Sequence, residues 1–245
     1  MNLSYGKTPI PVLFENDSCI VLDKPSGLSV QGGEGVRVSL DLLLASAITP
    51  RPLLVHRLDR DTSGVILVAK NRAAAAGFSL LLAGGESSGR AEKHRTVIKQ
   101  YLSVCSGPVH GKEGVIALEL EEKDKNRTTV MKKSETFFRL LSTGKSGEDT
   151  FSLLELELGT GRMHQIRRHL AQTGNPVLGD DKYGDFSLNK KLKKNQGLKN
   201  LLLHASRLVI PPSPGLVSEG LDVSAPLPEY FSAFIKLLTL TPTLP

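Results

Sequence analysis

Between residues 96 and 158, four runs alternate apolar with polar residues at a period of two: Thr96–Cys105, Gly114–Leu120, Thr136–Leu141 and Phe151–Leu158. Alternation at that period marks strands with one buried face. The connections between the runs are of hairpin scale, which makes neighbouring strands antiparallel. The chain is therefore confined to a largely antiparallel sheet with a few helices, an α+β class. Ahead of these runs, Val12–Glu15 and Cys19–Asp23 read as short strands around the turn Asn16-Asp17-Ser18, and Val65–Ala69 reads as an apolar strand. Helices are predicted over 40–47 (capped by Ser39, halted by Pro50 and Pro52), 72–83 (stopped by Gly84-Gly85), 163–172 and 230–238. Leu201–Ile210 adds a strand, residues 86–93 read as a loop, and residues 1–11 read as an irregular lead-in.

The length of 245 residues fits one large domain, or two small subdomains sharing a core. With no repeat and no sharp change of composition, residues 12–240 are expected to form a single catalytic-size domain. No apolar run approaches the roughly 18 to 20 residues that span a bilayer. The N-terminus lacks the charged-then-apolar layout of a secretion signal, so a cytoplasmic protein with no membrane partner is expected. Cys19 and Cys105 are far apart, which excludes a disulfide scaffold and a cysteine-rich zinc site. Lys and Arg number 31 against 25 Asp and Glu, a net charge of +6 that favours polyanionic partners, nucleic acid first.

Two segments carry chemistry. In His56-Arg57-Leu58-Asp59-Arg60-Asp61-Thr62-Ser63-Gly64, two carboxylates and two arginines occupy a turn that opens into a buried strand. A nearby arginine keeps a carboxylate ionised, fit to act as nucleophile or base. The plainer reading is a salt-bridged turn capping a strand. Asp59 and Asp61 as a magnesium pair is a third, weakened by the fixed positive charge of Arg57 and Arg60 beside them.

The second segment runs Gly159-Thr160-Gly161-Arg162-Met163-His164-Gln165-Ile166-Arg167-Arg168-His169. Arginines on the first turns of a helix make an anion receptor, or simply a basic solvated face. His164 and His169 stand about 140° apart around such a helix, which does not suit a shared metal. Lysines cluster at Lys123, Lys125, Arg127, Lys132 and Lys133, and again at Lys190, Lys191, Lys193, Lys194 and Lys199. Such clusters are point charges for phosphate backbones or ordinary surface. Tyr101, on a strand, is either core packing or a platform for a base.

The first segment resembles the H-R-L-D-x-x-T-S-G signature of the RluA-type pseudouridine synthases. Gly161–His169, followed by Pro176-Val177-Leu178-Gly179-Asp180 and Tyr183-Gly184, resembles that family's second signature. Asp23-Lys24-Pro25-Ser26-Gly27-Leu28 is similar to its early N-K-P-x-G segment, Lys99-x-Tyr101-Leu102 stands where the family has its active-site tyrosine, and Leu203-His204-Ala205 looks like its late L-H-A strand. The resemblance implies a pseudouridine synthase fold, a central mixed and mostly antiparallel sheet split by a basic cleft and flanked by helices. It also implies isomerisation of uridine to pseudouridine in RNA, with no cofactor and no metal. On it, Asp59 is the catalytic aspartate, which adds to C1′ of the ribose or removes its 2′ proton. Arg167 pairs with that carboxylate, Tyr101 stacks on the uracil, and Arg57 fills the gap left by the extruded nucleotide. Arg60, Thr62, Arg162, His164 and Gln165 are expected at the substrate with Arg57. The chemistry requires a base out of its stack, which loops and bulges of structured RNA supply.

Met163 and Arg168 depart from the usual Thr and Val of the second signature. With strand-like sequence already at Val12, the S4 RNA-binding module with which many ribosomal-RNA members of that family begin is not expected upstream, and the lysines of Lys190–Lys199 are a candidate partial substitute. The expected substrate is large-subunit (23S) ribosomal RNA, as the Arg60-Asp61 variant of the first signature suggests, with transfer RNA as the alternative. No obligate protein partner is expected. A non-catalytic RNA-binding or ribosome-assembly factor on the same fold is a further alternative, against which the intact set Asp59, Tyr101 and Arg167 argues.

Overall fold

The structure is a computed structural model that describes residues 3–84, 97–124 and 126–238. The loop expected over 86–93 and Lys125 lie outside the described residues. The chain divides into two compact units, Met1–Lys99 with His204–Leu227, and Gln100–Leu203 with Pro228–Pro245.

In the first unit, β1 (Ser4–Tyr5) and β2 (Thr8–Pro9) pair antiparallel, so the expected irregular lead-in contains a small hairpin. Strands of two residues are too short to show a period, which is why the sequence reads as coil there. Next, β3 (Val12–Glu15) turns into β4 (Cys19–Lys24) through Asn16, whose Oδ1 accepts the amides of Ser18 and Cys19 at 2.9 and 2.8 Å. Helix α1 (Leu40–Ala47) begins at the predicted cap, Ser39, whose Oγ accepts the Leu42 amide.

The short β5 (Leu53–Leu54) pairs with β6 (Ser63–Ala69), a strand buried at every position as its apolar run requires. Behind it, α2 (Arg72–Gly84) supplies Phe78 and Leu82 to a core with Val21, Val65 and Leu67. β6 is antiparallel to β4 and parallel to β11 (Leu203–Ile210), and β11 carries β12 (Leu221–Ser224) antiparallel.

Close approach of β6 and β11 depends on Gly64. Its φ is +108°, and a Cβ there would lie 2.1 Å from the Ala205 carbonyl oxygen. Gly64→Ala is therefore expected to destabilise the protein by about 3 kcal/mol or more, from backbone strain and overpacking together. Denaturant unfolding measures this, and a loss under about 1 kcal/mol would mean that the two strands separate easily.

In the second unit, β7 (Ile98–Ser106), β8 (Glu113–Lys123), β9 (Thr129–Ser146) and β10 (Asp149–Leu158) are ordered β7-β10-β9-β8, all antiparallel. β8 and β9 run well past their expected ends. Their extensions carry charged side chains on both faces, which hides the alternation. Helix α3 (Gln165–Gln172) lies on β8 and β9; it begins two residues later than expected because His164 sits at φ +52°, outside the helix. The lysine-rich segment forms a helix the sequence reading lacks, α4 (Phe186–Gln196), capped by the Asp185 carboxylate on the Leu188 amide and ended by Gly197 at φ +74°. α5 (Glu229–Leu237) closes the chain. In the first unit β6 and β11 are parallel and the other strand pairings described above are antiparallel, and in the second unit all are antiparallel, a mixed and mostly antiparallel arrangement as expected of an α+β protein. Among the described residues, no helix is long and apolar enough to cross a membrane.

Candidate active site

Arg57, Asp59, Arg60 and Thr62 share one loop of the first unit, and that loop is fastened through its main chain. The Arg60 carbonyl accepts the Gly27 amide and Nζ of Lys24, each at 2.9 Å, and the Asp61 carbonyl accepts Oγ of Ser26 at 2.8 Å. The Thr62 amide closes the turn on the Asp59 carbonyl at 3.2 Å.

Lys24 is fully buried, and its Nζ also donates to the carbonyls of Pro25 (2.9 Å) and Leu28 (2.8 Å). An ammonium has three protons to donate, and three carbonyls receive them. Burial pulls the Lys24 pKa down to about 7, against Asp61, Asp59 and Asp23, which hold it up. Asp23 is pushed up to about 6 by its own burial, against the charge of Lys24. The Lys24 amine thus lies buried beneath the loop that presents Asp59, tied to that loop by the Arg60 carbonyl.

Asp59 is half-buried, and Arg57 and Arg60 are exposed. The Asp61 carboxylate takes the edge of Arg60, Nε to Oδ1 at 3.0 Å and Nη2 to Oδ2 at 2.9 Å. At the foot of the loop two histidines are held neutral. His56 Nε2 accepts the Leu67 amide at 2.9 Å, and burial, then the charge of Lys99, drives its pKa down to about 3. His204 faces the Ala225 carbonyl with Nε2 at 3.3 Å, so Nε2 carries the proton and Nδ1 accepts the Ser63 hydroxyl at 2.9 Å. Burial takes His204 down to about 4, with the Ala225 carbonyl working in the other direction.

In the second unit, Tyr101 lies on β7 opposite Leu156 of β10 and is 8% exposed. Arg162, His164, Gln165 and Arg167 gather at the start of α3. Arg167 is buried and donates to Asp180 twice, Nε to Oδ2 at 2.7 Å and Nη2 to Oδ1 at 2.8 Å, and to Asp181 at 3.2 Å. Burial raises the Asp180 pKa, but Arg167 and the amides of Tyr183 and Lys182 outweigh it and hold the carboxyl below its usual range. The Arg167 guanidinium carbon also sits 5.3 Å from the centre of the Tyr183 ring. His164 reaches the Tyr183 hydroxyl through Nδ1 at 3.1 Å. Bidentate pairing and ring contact fix the direction of the Arg167 fork.

Two residues expected at the substrate lie inside the protein. Thr62 is buried. Gln165 is buried as well: its Oε1 accepts the Thr160 hydroxyl (2.6 Å) and the Arg162 amide (3.0 Å), and its Nε2 donates to the Glu135 carbonyl (2.8 Å) and Thr136 Oγ1 (3.0 Å). Both amide protons and both acceptor positions are used, so Gln165 braces the turn that carries Arg162 and His164. His169 is buried too; because the Ser134 hydroxyl donates to Leu118, His169 Nε2 must be the donor in its 2.8 Å contact with Ser134. The lysines at 132 and 133 share their hairpin with Glu119, Glu121 and Glu122, and Lys133 stands directly opposite Glu119.

Sequence reasoning missed three supports. Lys24, Asp180 and Tyr183 stood inside recognisable motifs but had no assigned role. The anchor of Lys24 is a set of main-chain carbonyls, and the partner of Arg167 comes from a loop beyond its helix, so neither contact has a local sequence signal.

Over residues 18–172 the chain matches the family described as RNA pseudouridylate synthase, and it belongs to that family, in its RluA-type branch. It is 37% identical to the ribosomal large subunit pseudouridine synthase C of Haemophilus influenzae, over 79% of this chain and 58% of that protein. With the protein of the same description from Haemophilus ducreyi it shares 33% identity over 93% of this chain and 68% of that one. The chain thus spans roughly three fifths to two thirds of the length of these relatives. The solved structure of human RNA pseudouridylate synthase domain containing 4 superposes with a TM-score of 0.71 at 24% identity, covering 93% of this chain and 92% of that one, which establishes the fold.

Proposed function

We propose that this chain isomerises uridine to pseudouridine in RNA, with large-subunit ribosomal RNA as the substrate. The observation that carries the reading is the Asp59 loop, pinned at three points over a buried lysine in a chain of this family. The relatives described as ribosomal large subunit pseudouridine synthase C support the choice of RNA. In this reading Asp59 is the reacting carboxylate, adding to C1′ or removing the 2′ proton, and Arg167 is the arginine that pairs with it. Tyr101 stacks on the uracil, Arg57 occupies the space of the extruded nucleotide, and Arg60, Arg162 and His164 bind substrate. Thr62 and Gln165 support the segments that carry them. The reaction exchanges a C1′–N1 bond for a C1′–C5 bond within one nucleotide; the hydrogen at C5 leaves as a proton and N1, freed from the ribose, takes one up, so the product is an isomer of uridine. The proposed setting is the cytoplasm, where ribosomal RNA is accessible.

The test uses the purified protein with transcripts labelled by 5-tritiated uridine, ribosomal and transfer RNA in separate reactions. Tritium release from the ribosomal transcript alone is expected, because only bond formation at C5 frees that hydrogen. Release from transfer RNA alone would overturn the substrate. No release from either RNA, or from ribosomal assembly intermediates, despite tight binding, would overturn the isomerase reading in favour of a binding factor.

A further inference from the structure

The α4 helix presents an aromatic and basic face that the site described above does not use. Phe186, in its first turn, is 61% exposed. At about 100° per residue, Lys190 and Lys193 fall within about 40° of Phe186 around the helix, and Lys194 lies at the border of the same stripe. The opposite side packs inward through the buried Leu192, and Lys191 is turned away onto Asp149 at 2.7 Å. Residues Phe186–Gln196 include no Asp or Glu. Lys190, Lys193 and Lys194 are exposed, and none of them pairs with a carboxylate among the described residues.

We propose that this face is a second RNA contact, which holds single-stranded nucleotides flanking the target uridine. The proposal rests on the RNA reading above. An exposed phenylalanine stacks on any base, and lysines meet phosphates as point charges, which together suit a strand of no fixed sequence. With a rise of about 1.5 Å per residue, Phe186, Lys190 and Lys193 follow one another at about 6 and about 4.5 Å along the helix, with Lys194 one residue further, a ladder along an extended strand. A single exposed ring is too little apolar surface for a membrane or for the core of a stable protein interface. The face is also joined to the proposed site. From the adjoining side of α4, Asn189 accepts the Gly179 amide at 2.9 Å and donates to the Asp180 carbonyl at 3.1 Å, and Asp180 holds Arg167.

The test measures binding of the full chain to an unstructured fluorescent RNA oligonucleotide across a range of salt concentrations. The triple variant Lys190→Gln, Lys193→Gln, Lys194→Gln is expected to lower the slope of log affinity against log salt by about 2, three contacts at about 0.7 each for a single strand. Phe186→Ala is expected to weaken binding about tenfold with the slope unchanged. Lys191→Gln, on the other side of the helix, should leave the slope as it is. All variants should keep the wild-type melting temperature; in the tritium assay the triple variant and Phe186→Ala should raise KM with kcat unchanged, and Lys191→Gln should change neither. An unchanged slope in the triple variant overturns the contact, and unchanged affinity in Phe186→Ala overturns its stacking half. Because the binding readout does not need turnover, altered slope without any tritium release would sustain the contact and overturn the isomerase instead.

Discussion

Asp59→Asn is expected to reduce tritium release by at least about three orders of magnitude, with the melting temperature nearly unchanged. The amide has almost the shape of the carboxylate but can neither add to C1′ nor accept a proton from C2′. Loss of a reacting group of this kind removes most of an enzyme's acceleration, whereas loss of an accessory contact rarely exceeds a factor of a hundred or so. The loop should keep its form, because its ties are the carbonyls of Arg60 and Asp61 and the turn from Thr62, none of which involves the Asp59 side chain. Activity of the variant within tenfold of the parent would move the chemistry to another residue.

The second large effect is acid lability. His56, His169 and His204 have pKa values near 3, 4 and 4, each lowered first by burial. Unfolded, each takes up a proton near 6.5. Between these limits the unfolded chain binds more protons than the folded one, so the stability these three histidines contribute is complete above about 6.5 and falls as pH falls. Asp23 acts in the opposite sense: raised to about 6 in the fold, it binds a proton before its unfolded counterpart does. Three histidines against one aspartate leave two net protons between about pH 6 and pH 4, a slope of about 3 kcal/mol per pH unit. Denaturant unfolding at pH 7, 5.5 and 4.5 checks it. Stability that stays level from pH 6.5 to 5 would mean that these rings are already charged in the folded protein.

Much of this molecule was readable from its residues, and the unreadable part has a common cause. The helix at Leu40–Ala47 and the buried strand at Val65–Ala69 carry their own signals, a capping serine and an unbroken apolar run, and both appear where expected. The long ends of β8 and β9 are held by pairing with each other and, over Ser142–Ser146, with β10, so their composition does not betray them. The α4 helix has few apolar residues and stands on its cap, its glycine stop and one buried leucine. The site divides in the same way. The Asp59 loop and the arginine helix were legible as motifs, whereas the burial of Thr62 and Gln165 depends on neighbours distant in sequence. Lys24 was visible, but its acceptors are main-chain atoms common to every residue type.

That last property bears on how a protein with the proposed activity would diversify. A reactive loop tied down through its peptide carbonyls makes few demands on the side chains at its own positions. Exchange of the exposed Arg57 or Arg60 alters what the loop meets in solution without disturbing the bonds that aim the carboxylate. Under the proposed function, new targets would arise by change at the rim while the chemistry stays constant, and the demand for an unchanged residue would fall on the lysine underneath.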